Sequence, residues 1–270
     1  DLNAKLADEP AYEYMAKNLG PSIGCDGVPV YAAGGYYYPD DSLGRLRDEL
    51  LGYRDRGYSA FKIKIGGGSL ADDLRRVDAA IDIAGDAGCV AVDANGRFAR
   101  ADALAWGDAL NDRKLRWYEE PVDPLDYALM SEVAARYSGP LATGENLFSF
   151  MDVKNLIAFA GLRPDRDVLQ MDPGLSYGLT EYLRTLQHAE AAGFARARCI
   201  PHGGHLINLH IAAALGLGGC EAYPDVFQPF GGYAPQCMVR AGRVWPSDAP
   251  GFGLEQKLEL VPHIAALVES

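Results

Sequence analysis

Three strand-like runs between residues 89 and 146 each close on a carboxylate: C-V-A-V-D-A-N (89–95), L-R-W-Y-E-E-P (115–121) and P-L-A-T-G-E-N (140–146). The acids are Asp93, Glu119 and Glu145, and each stands 26 residues after the last. One strand, one loop, one helix and the return fill such an interval, so each carboxylate marks one β/α unit. Successive parallel strands end at the same face of the molecule. Three acids at those ends therefore address one cavity, where hard cations and reacting groups collect in a β/α barrel.

Outward from this stretch the alternation continues. Strand-like runs at 28–33, 60–65, 167–172, 197–202 and 219–223 join the three above, and helical patterns separate them. Eight strand slots in about two hundred residues predict an α/β chain closed into a TIM-like barrel. An open doubly wound sheet has the same alternation, but it gathers its ligand at one switch point rather than at many strand ends. Residues 1–19 read as a helix. The stretch 224–270 is rich in Gly and Pro, contains A-P-G-F-G-L-E (249–255) and loses the strand-helix rhythm before a short helical end at 256–268.

A formal net charge of −12 argues against a nucleic-acid partner, which calls for a basic face. It leaves an anionic substrate open, because a metal and a few lysines reverse the sign locally. The five cysteines (25, 89, 199, 220 and 237) form no C-x-x-C pair, and three lie in apolar strand-like runs. Free thiols in a reducing, cytoplasmic setting are expected. No long apolar run predicts a membrane span.

Lys62 and Lys64 in F-K-I-K-I share one face of their strand. A solvated edge strand also alternates in this way, but beside the carboxylate series the interior face is favoured. Two ammonium groups so close repel each other, which eases loss of a proton from one and suits a base. Asp93, Glu119 and Glu145 offer three anionic oxygens with no nearby Cys, a donor set that suits Mg²⁺ and that residue type alone leaves open to Ca²⁺ or Mn²⁺. Asn95 and Asn146 follow two of these acids, as turn residues or as donors to them. Asp172 and His202 end the sixth and seventh runs, where the carboxylate can orient the ring and raise its pKa. Glu221 ends the eighth and is placed to meet substrate or to pair with Lys62 or Lys64. His205 and His210 read as capping or packing residues, and His188 and His263 as surface ones. Gly66, Gly67 and Gly68 lack a phosphate-loop spacing and read as a tight turn.

Taken in order, K-x-K at 62–64, D-x-N at 93–95, W-Y-E-E-P at 117–121, T-G-E-N at 143–146, Asp172, His202 and A-P-G-F-G-L-E resemble the enolase superfamily, mandelate racemase subgroup. The P-H-G-G-H run (201–205) and the 30-residue interval from Asp172 to His202 are most similar to the D-tartrate dehydratases of that subgroup. The resemblance implies a (β/α)7β barrel over 21–223. It implies an N-terminal α+β capping domain absent from this chain, with 1–20 as the end of its helix and linker. The segment 224–270 would then pack back toward that cap.

The chemistry so implied is loss of the proton α to a carboxylate, with Mg²⁺ held by Asp93, Glu119 and Glu145 against the developing enediolate. Lys62, Asn95, Glu221 and His202 would contact substrate. Lys64 would take the proton, and His202, held by Asp172, would protonate the departing β-hydroxyl. The product is a 2-keto acid, oxaloacetate if the substrate is D-tartrate. The expected partners are a hydroxy-diacid or acid sugar and further copies of the chain in a homo-oligomer. The same Lys64 and His202 would serve a racemase or epimerase of a 2-hydroxy acid. A barrel that binds an acid without turning it over, or a Schiff-base aldolase on Lys62 or Lys64, accounts for fewer of the residues.

Overall fold

The computed structural model describes residues 1–19, 26–40 and 42–268. Seven parallel strands form its centre: β1 (Val28–Gly34), β2 (Phe61–Lys64), β3 (Val90–Asp93), β4 (Trp117–Glu119), β5 (Leu141–Thr143), β6 (Val168–Leu169) and β7 (Cys220–Ala222). Their neighbour order is β7-β1-β2-β3-β4-β5-β6, parallel throughout. Between β6 and β7 the segment expected as a full strand at 197–202 narrows to one bridge, Leu169 to Cys199. Ile200 and His202 still donate to the carbonyls of Leu169 and Gln170, and Gly218 donates to Cys199 O at 3.0 Å just before β7. The curled sheet with its crossover helices is the (β/α)7β barrel.

Helices α3 (Ser42–Asp55), α4 (Leu70–Ala84), α5 (Arg100–Leu110), α6 (Tyr127–Arg136), α7 (Phe150–Phe159), α8 (Gly178–Ala191) and α9 (Leu206–Leu215) return the chain between strands. Their ends are written locally. Ser69 caps α4 by accepting from Asp72 N, and Gly85 stops it in a left-handed conformation with φ 75°. Ser149 and Asp152 form a capping box at α7, one loop beyond Glu145. Each helix buries an apolar stripe against the strands. In α3 this is Leu46, Leu50 and Tyr53, all fully buried, and each such leucine contributes roughly 2 kcal/mol of transfer free energy.

Inside the ring, alternation along each strand sorts side chains into layers. The floor is Tyr31, Ala60, Ala91, Trp117, Ala142, Val168 and Ile200, all buried. Alanines make room for the Tyr31 and Trp117 rings, which meet edge to face at 5.0 Å. One step up, the layer turns polar on four of these runs. Lys62 follows Ala60, Asp93 follows Ala91, Glu119 follows Trp117 and Gln170 follows Val168, every one of them buried.

Two further expectations change. Residues 1–19 are not one helix but α1 (Leu2–Leu6) and α2 (Ala11–Leu19). Pro10 has no N–H to continue the ladder, and Asp8 turns the chain at φ 55°. The segment after 224 is not irregular throughout. It contains the antiparallel pair β8 (Val239–Arg240) and β9 (Arg243–Val244), with β9 lying antiparallel on the start of β1, and the short helix expected at 256–268 is α10 (Val261–Val268). Gly251 meets the chain around Pro10 through Ala11 N to Gly251 O at 2.7 Å and Gly251 N to Glu9 O at 2.9 Å.

Candidate active site and metal centre

Asp93, Glu119 and Glu145 converge. Each offers one oxygen within 4.8 Å of the others. Asp93 and Glu119 end adjacent strands in direct register, and Glu145 follows β5 by way of Gly144. That glycine sits at φ 125°, and a Cβ there would lie 2.8 Å from Met171 Sδ. The loop thus needs glycine to aim Glu145 inward. Glu145 Oε2 is buried without a hydrogen-bond partner. Three convergent carboxylates, one with an orphan oxygen, fit a hard divalent cation such as Mg²⁺.

The lysines meet this cluster at different points. Lys62 is fully enclosed, with Nζ 2.6 Å from Glu119 Oε1, 2.7 Å from Glu221 Oε1 and 3.5 Å from Asp93 Oδ2. Burial opposes its charge, but Glu119 and Glu221 outweigh burial and hold it protonated. Lys64 donates to Asp93 Oδ2 at 2.6 Å and keeps part of its side chain open to the cavity. Burial and Lys62 both work against the Lys64 ammonium, yet Asp93 and Glu119 raise its pKa above the ordinary value. Lys62 does act in the expected direction, and the adjacent carboxylate outweighs it. Asp93 moves the opposite way. Burial disfavours its charge, and the two lysines hold it below the usual carboxylate range.

Across the cavity, His202 Nδ1 lies 3.1 Å from Asp172 Oδ2. The other oxygen of Asp172 accepts from Gly174 N at 2.7 Å and Asn208 Nδ2 at 2.9 Å. Burial pulls the imidazole down, but the Asp172 bond and the Glu221 and Glu145 charges carry it up to about 9. Gly203 follows at φ +90°, where a Cβ would stand 2.6 Å from Asp172 Oδ2. The glycine after His202 is therefore what allows the loop to close on its carboxylate. Glu221 is buried, and burial opposes its charge. Lys62 and His202 win, holding it at about 2.

Ala33, Tyr36, Lys62, Lys64, Asn95, Glu145, His202, Glu221, Tyr223 and Phe227 line one cavity of about 180 Å³. Lys62, Lys64, Asn95, Glu145, His202 and Glu221 line it, and Asp93, Glu119 and Asp172 bond to residues that do. Asn95 supports Asp93 through its backbone, N to Oδ1 at 2.8 Å, rather than through its amide. Asn146 donates not to the triad but to both oxygens of Glu120, at 3.0 and 2.9 Å.

Sequence reasoning missed Trp117, Gln170, Glu120 and Tyr223. Trp117 Nε1 and Gln170 Nε2 donate to Glu119 Oε2 at 2.7 and 3.0 Å. Both were readable, because each is two residues from an inward-facing acid in its own strand-like run. Glu120 was not. Alternation sends it away from Glu119, but its φ of 37° breaks the pattern. It is buried, and burial and the Glu145 charge push it up to about 8. His205 caps α9, with Nδ1 accepting from Asn208 N, as expected. His188 is half-buried against Phe150 rather than a plain surface residue. The described cysteines 89, 199, 220 and 237 are free thiols, and Cys25 lies outside the described residues. No described helix is long and apolar enough to cross a membrane.

The family model "Enolase C-terminal domain-like" matches residues 45–260. L-talarate/galactarate dehydratase of Salmonella typhimurium is 31% identical over 254 residues, covering 94% of this chain and 60% of that protein. Arabinonate dehydratase of Saccharolobus solfataricus is 29% identical over 220 residues, covering 80% and 56%. The structure of L-talarate dehydratase from Polaromonas sp. JS666, complexed with Mg and L-glucarate, superimposes with a TM-score of 0.78 at 27% identity, over 93% of this chain and 63% of that one. The chain thus spans about 60% of the length of the relatives it matches.

Proposed function

The chain belongs to the enolase C-terminal domain-like family, and from that premise we propose that it is the catalytic barrel of a Mg²⁺-dependent acid-sugar dehydratase. One observation carries the reading. Lys64 and the Asp172-held His202 enter the same cavity, and Glu145 of the carboxylate triad lines it with them. A base and an acid facing one small polar space suit removal of a proton and loss of a hydroxyl from neighbouring carbons. Relatives named as talarate, galactarate and arabinonate dehydratases support the class.

Asp93, Glu119 and Glu145 would hold the cation. When bound, it would neutralise negative charge building on the substrate carboxylate, which is the main obstacle to deprotonating so weak a carbon acid. Lys62, fixed between Glu119 and Glu221, adds a permanent positive charge beside that carboxylate. Lys64 takes the α-proton. Its ion pair with Asp93 keeps it protonated, and an Asp93 engaged by a cation would leave the amine freer to act. His202 is charged at neutral pH and gives a proton to the β-hydroxyl as the C–O bond breaks. Water leaves, and the enol tautomerises to a 2-keto acid.

The finer reading is D-tartrate to oxaloacetate. It is supported by the P-H-G-G-H run and the Asp172-to-His202 interval. The test is a panel of acid sugars and hydroxy-diacids given to the intact protein with Mg²⁺, read as 2-keto acid. Oxaloacetate from D-tartrate, abolished by chelation and restored by Mg²⁺, is expected. A keto acid from a longer aldarate alone removes tartrate and keeps the class. Turnover that survives chelation, or no dehydration of any acid, overturns the class.

A further inference from the structure

Tyr223 stands at a junction that the scheme above does not use. Its hydroxyl lies 2.9 Å from His202 Nε2 and 3.0 Å from Glu221 Oε2. Its ring is buried, edge-on to Phe227 at 5.0 Å, and Gln228 Nε2 donates to its carbonyl at 3.1 Å. The hydroxyl is therefore held in place rather than swinging in solvent. It also completes a continuous polar chain. Asp172 touches His202, His202 touches Tyr223, Tyr223 touches Glu221, and Glu221 touches Lys62. The acid side and the lysine side of the cavity are joined through one phenol.

A phenol has one proton and can donate once. Glu221 Oε2 is an ionised acceptor that already receives Gly203 N–H at 2.9 Å. With the imidazole charged, both contacts are satisfied in one way only: Nε2–H donates to the phenol oxygen, and the phenol donates to Glu221. Once His202 has lost its Nε2 proton, that nitrogen becomes an acceptor. The phenol then turns its O–H from Glu221 to Nε2, and Glu221 keeps the Gly203 bond. Tyr223 keeps its proton throughout, so no charge is stranded in the cavity.

We infer that Tyr223 is a positioning residue whose hydroxyl holds the proton-bearing Nε2 of His202 toward the cavity and turns to receive that nitrogen once the proton has gone to the leaving hydroxyl. The ring is then fixed at both nitrogens, by Asp172 on one side and Tyr223 on the other. Nε2 has one proton, so that proton leaves the phenol oxygen for a substrate hydroxyl arriving alongside, which narrows the angle from which a hydroxyl can be protonated. The geometric half of the inference stands on the structure, and its kinetic half rests on the dehydratase reading.

Two measurements on the intact protein test it. In ¹⁵N-histidine-labelled wild type, a His202 Nε2–H protected from solvent exchange is expected, assigned by its loss in His202→Asn. It should vanish in Tyr223→Phe and persist in Tyr233→Phe, whose hydroxyl instead meets the Glu221 carbonyl. In turnover of an acid sugar with Mg²⁺, Tyr223→Phe should lower kcat for water loss by about 10- to 100-fold, as removal of an orienting partner does. KM should hold within about threefold, and exchange of the substrate α-proton with deuterium should fall far less than water loss. A wild-type Nε2–H without protection, its survival in Tyr223→Phe, or water loss and exchange falling together would each overturn the inference. If no acid sugar is turned over, the dehydratase reading fails, and the ring N–H alone decides the role of Tyr223.

Discussion

Lys62 and Lys64 share a strand and a face, yet the fold gives them different company. Lys62 is 2% exposed and locked between two carboxylates, whereas Lys64 retains 16% exposure and one strong partner. Of the two, Lys64 has the freedom to take a proton from a ligand. Lys64→Ala should therefore abolish exchange of the substrate α-proton with solvent deuterium. His202→Asn should block water loss while exchange continues and the metal stays bound. Exchange retained without Lys64, or water loss near the wild-type rate without His202, would assign those roles elsewhere. Most of this was legible at the level of single residues, because a period of two carries side chains inward and places Lys62, Lys64, Asp93 and Glu119 on one surface. Glu120 escaped because its backbone leaves the strand conformation at the point where alternation would have turned it outward. Tyr223 lies on the same face as Glu221, but β7 ends at Ala222, and no sequence rule says how a residue past a strand end is aimed.

Helices α2 and α9 meet through a polar contact that sequence periodicity does not encode. The Tyr12 N–H, in the first turn of α2, donates to His210 Nδ1 of α9 at 3.2 Å. His210 was readable as a packing residue, but its acceptor role depends on Pro10 breaking the first helix and exposing a new N-terminus. Burial pulls this imidazole down to about 4. In the unfolded chain it takes a proton near its ordinary value of about 6.5. Between those pH values the unfolded state binds more protons, so stability is complete above the higher value and declines as pH falls toward the lower. The full loss from this group is on the order of 3 kcal/mol. His210→Asn keeps an acceptor and removes the titration. Denaturant unfolding of wild type and variant at several pH values should show that the acid decline is shallower in the variant. Parallel curves would mean that His210 is already protonable in the folded state. The seventh strand shows the same limit of local reading. Its run at 197–202 has the composition of a full strand, but Arg196–Arg198 forms a 3₁₀ turn that takes up its start.

At the scale of the molecule, the 26-residue interval was enough to reveal the ring, because a barrel repeats its unit and the repeat survives in one dimension. The packing of 224–270 was not legible. Part of what fastens it is backbone contact, Gly251 to the chain at Pro10 and Val244 to Val28, which leaves no side-chain pattern, and its ion pairs, Arg56 to Asp225 and Lys5 to Glu255, join residues far apart in sequence. What the whole chain must solve is charge. Asp93, Glu119, Glu145 and Glu221 crowd one end of the barrel in a protein of net charge −12, against Lys62, Lys64 and His202. Every partner that Lys62 and Lys64 find among the triad is an oxygen a cation would also seek, so binding should relieve repulsion that folding concentrates. A ligand that binds only the folded state stabilises by about 2.7 kcal/mol at a hundred times its Kd, which for a chain of this length raises Tm by about 5 °C. Thermal unfolding with and without Mg²⁺ should show that rise in wild type, reversed by chelation, and little of it in Glu145→Gln. This variant removes the charge whose oxygen has no other hydrogen-bond partner while leaving the lysine pairs intact. A Tm that ignores Mg²⁺ in the wild type would mean that the lysines already satisfy the carboxylates and that the cluster is an ion-pair network. Equal rises in wild type and variant would place the cation away from Glu145.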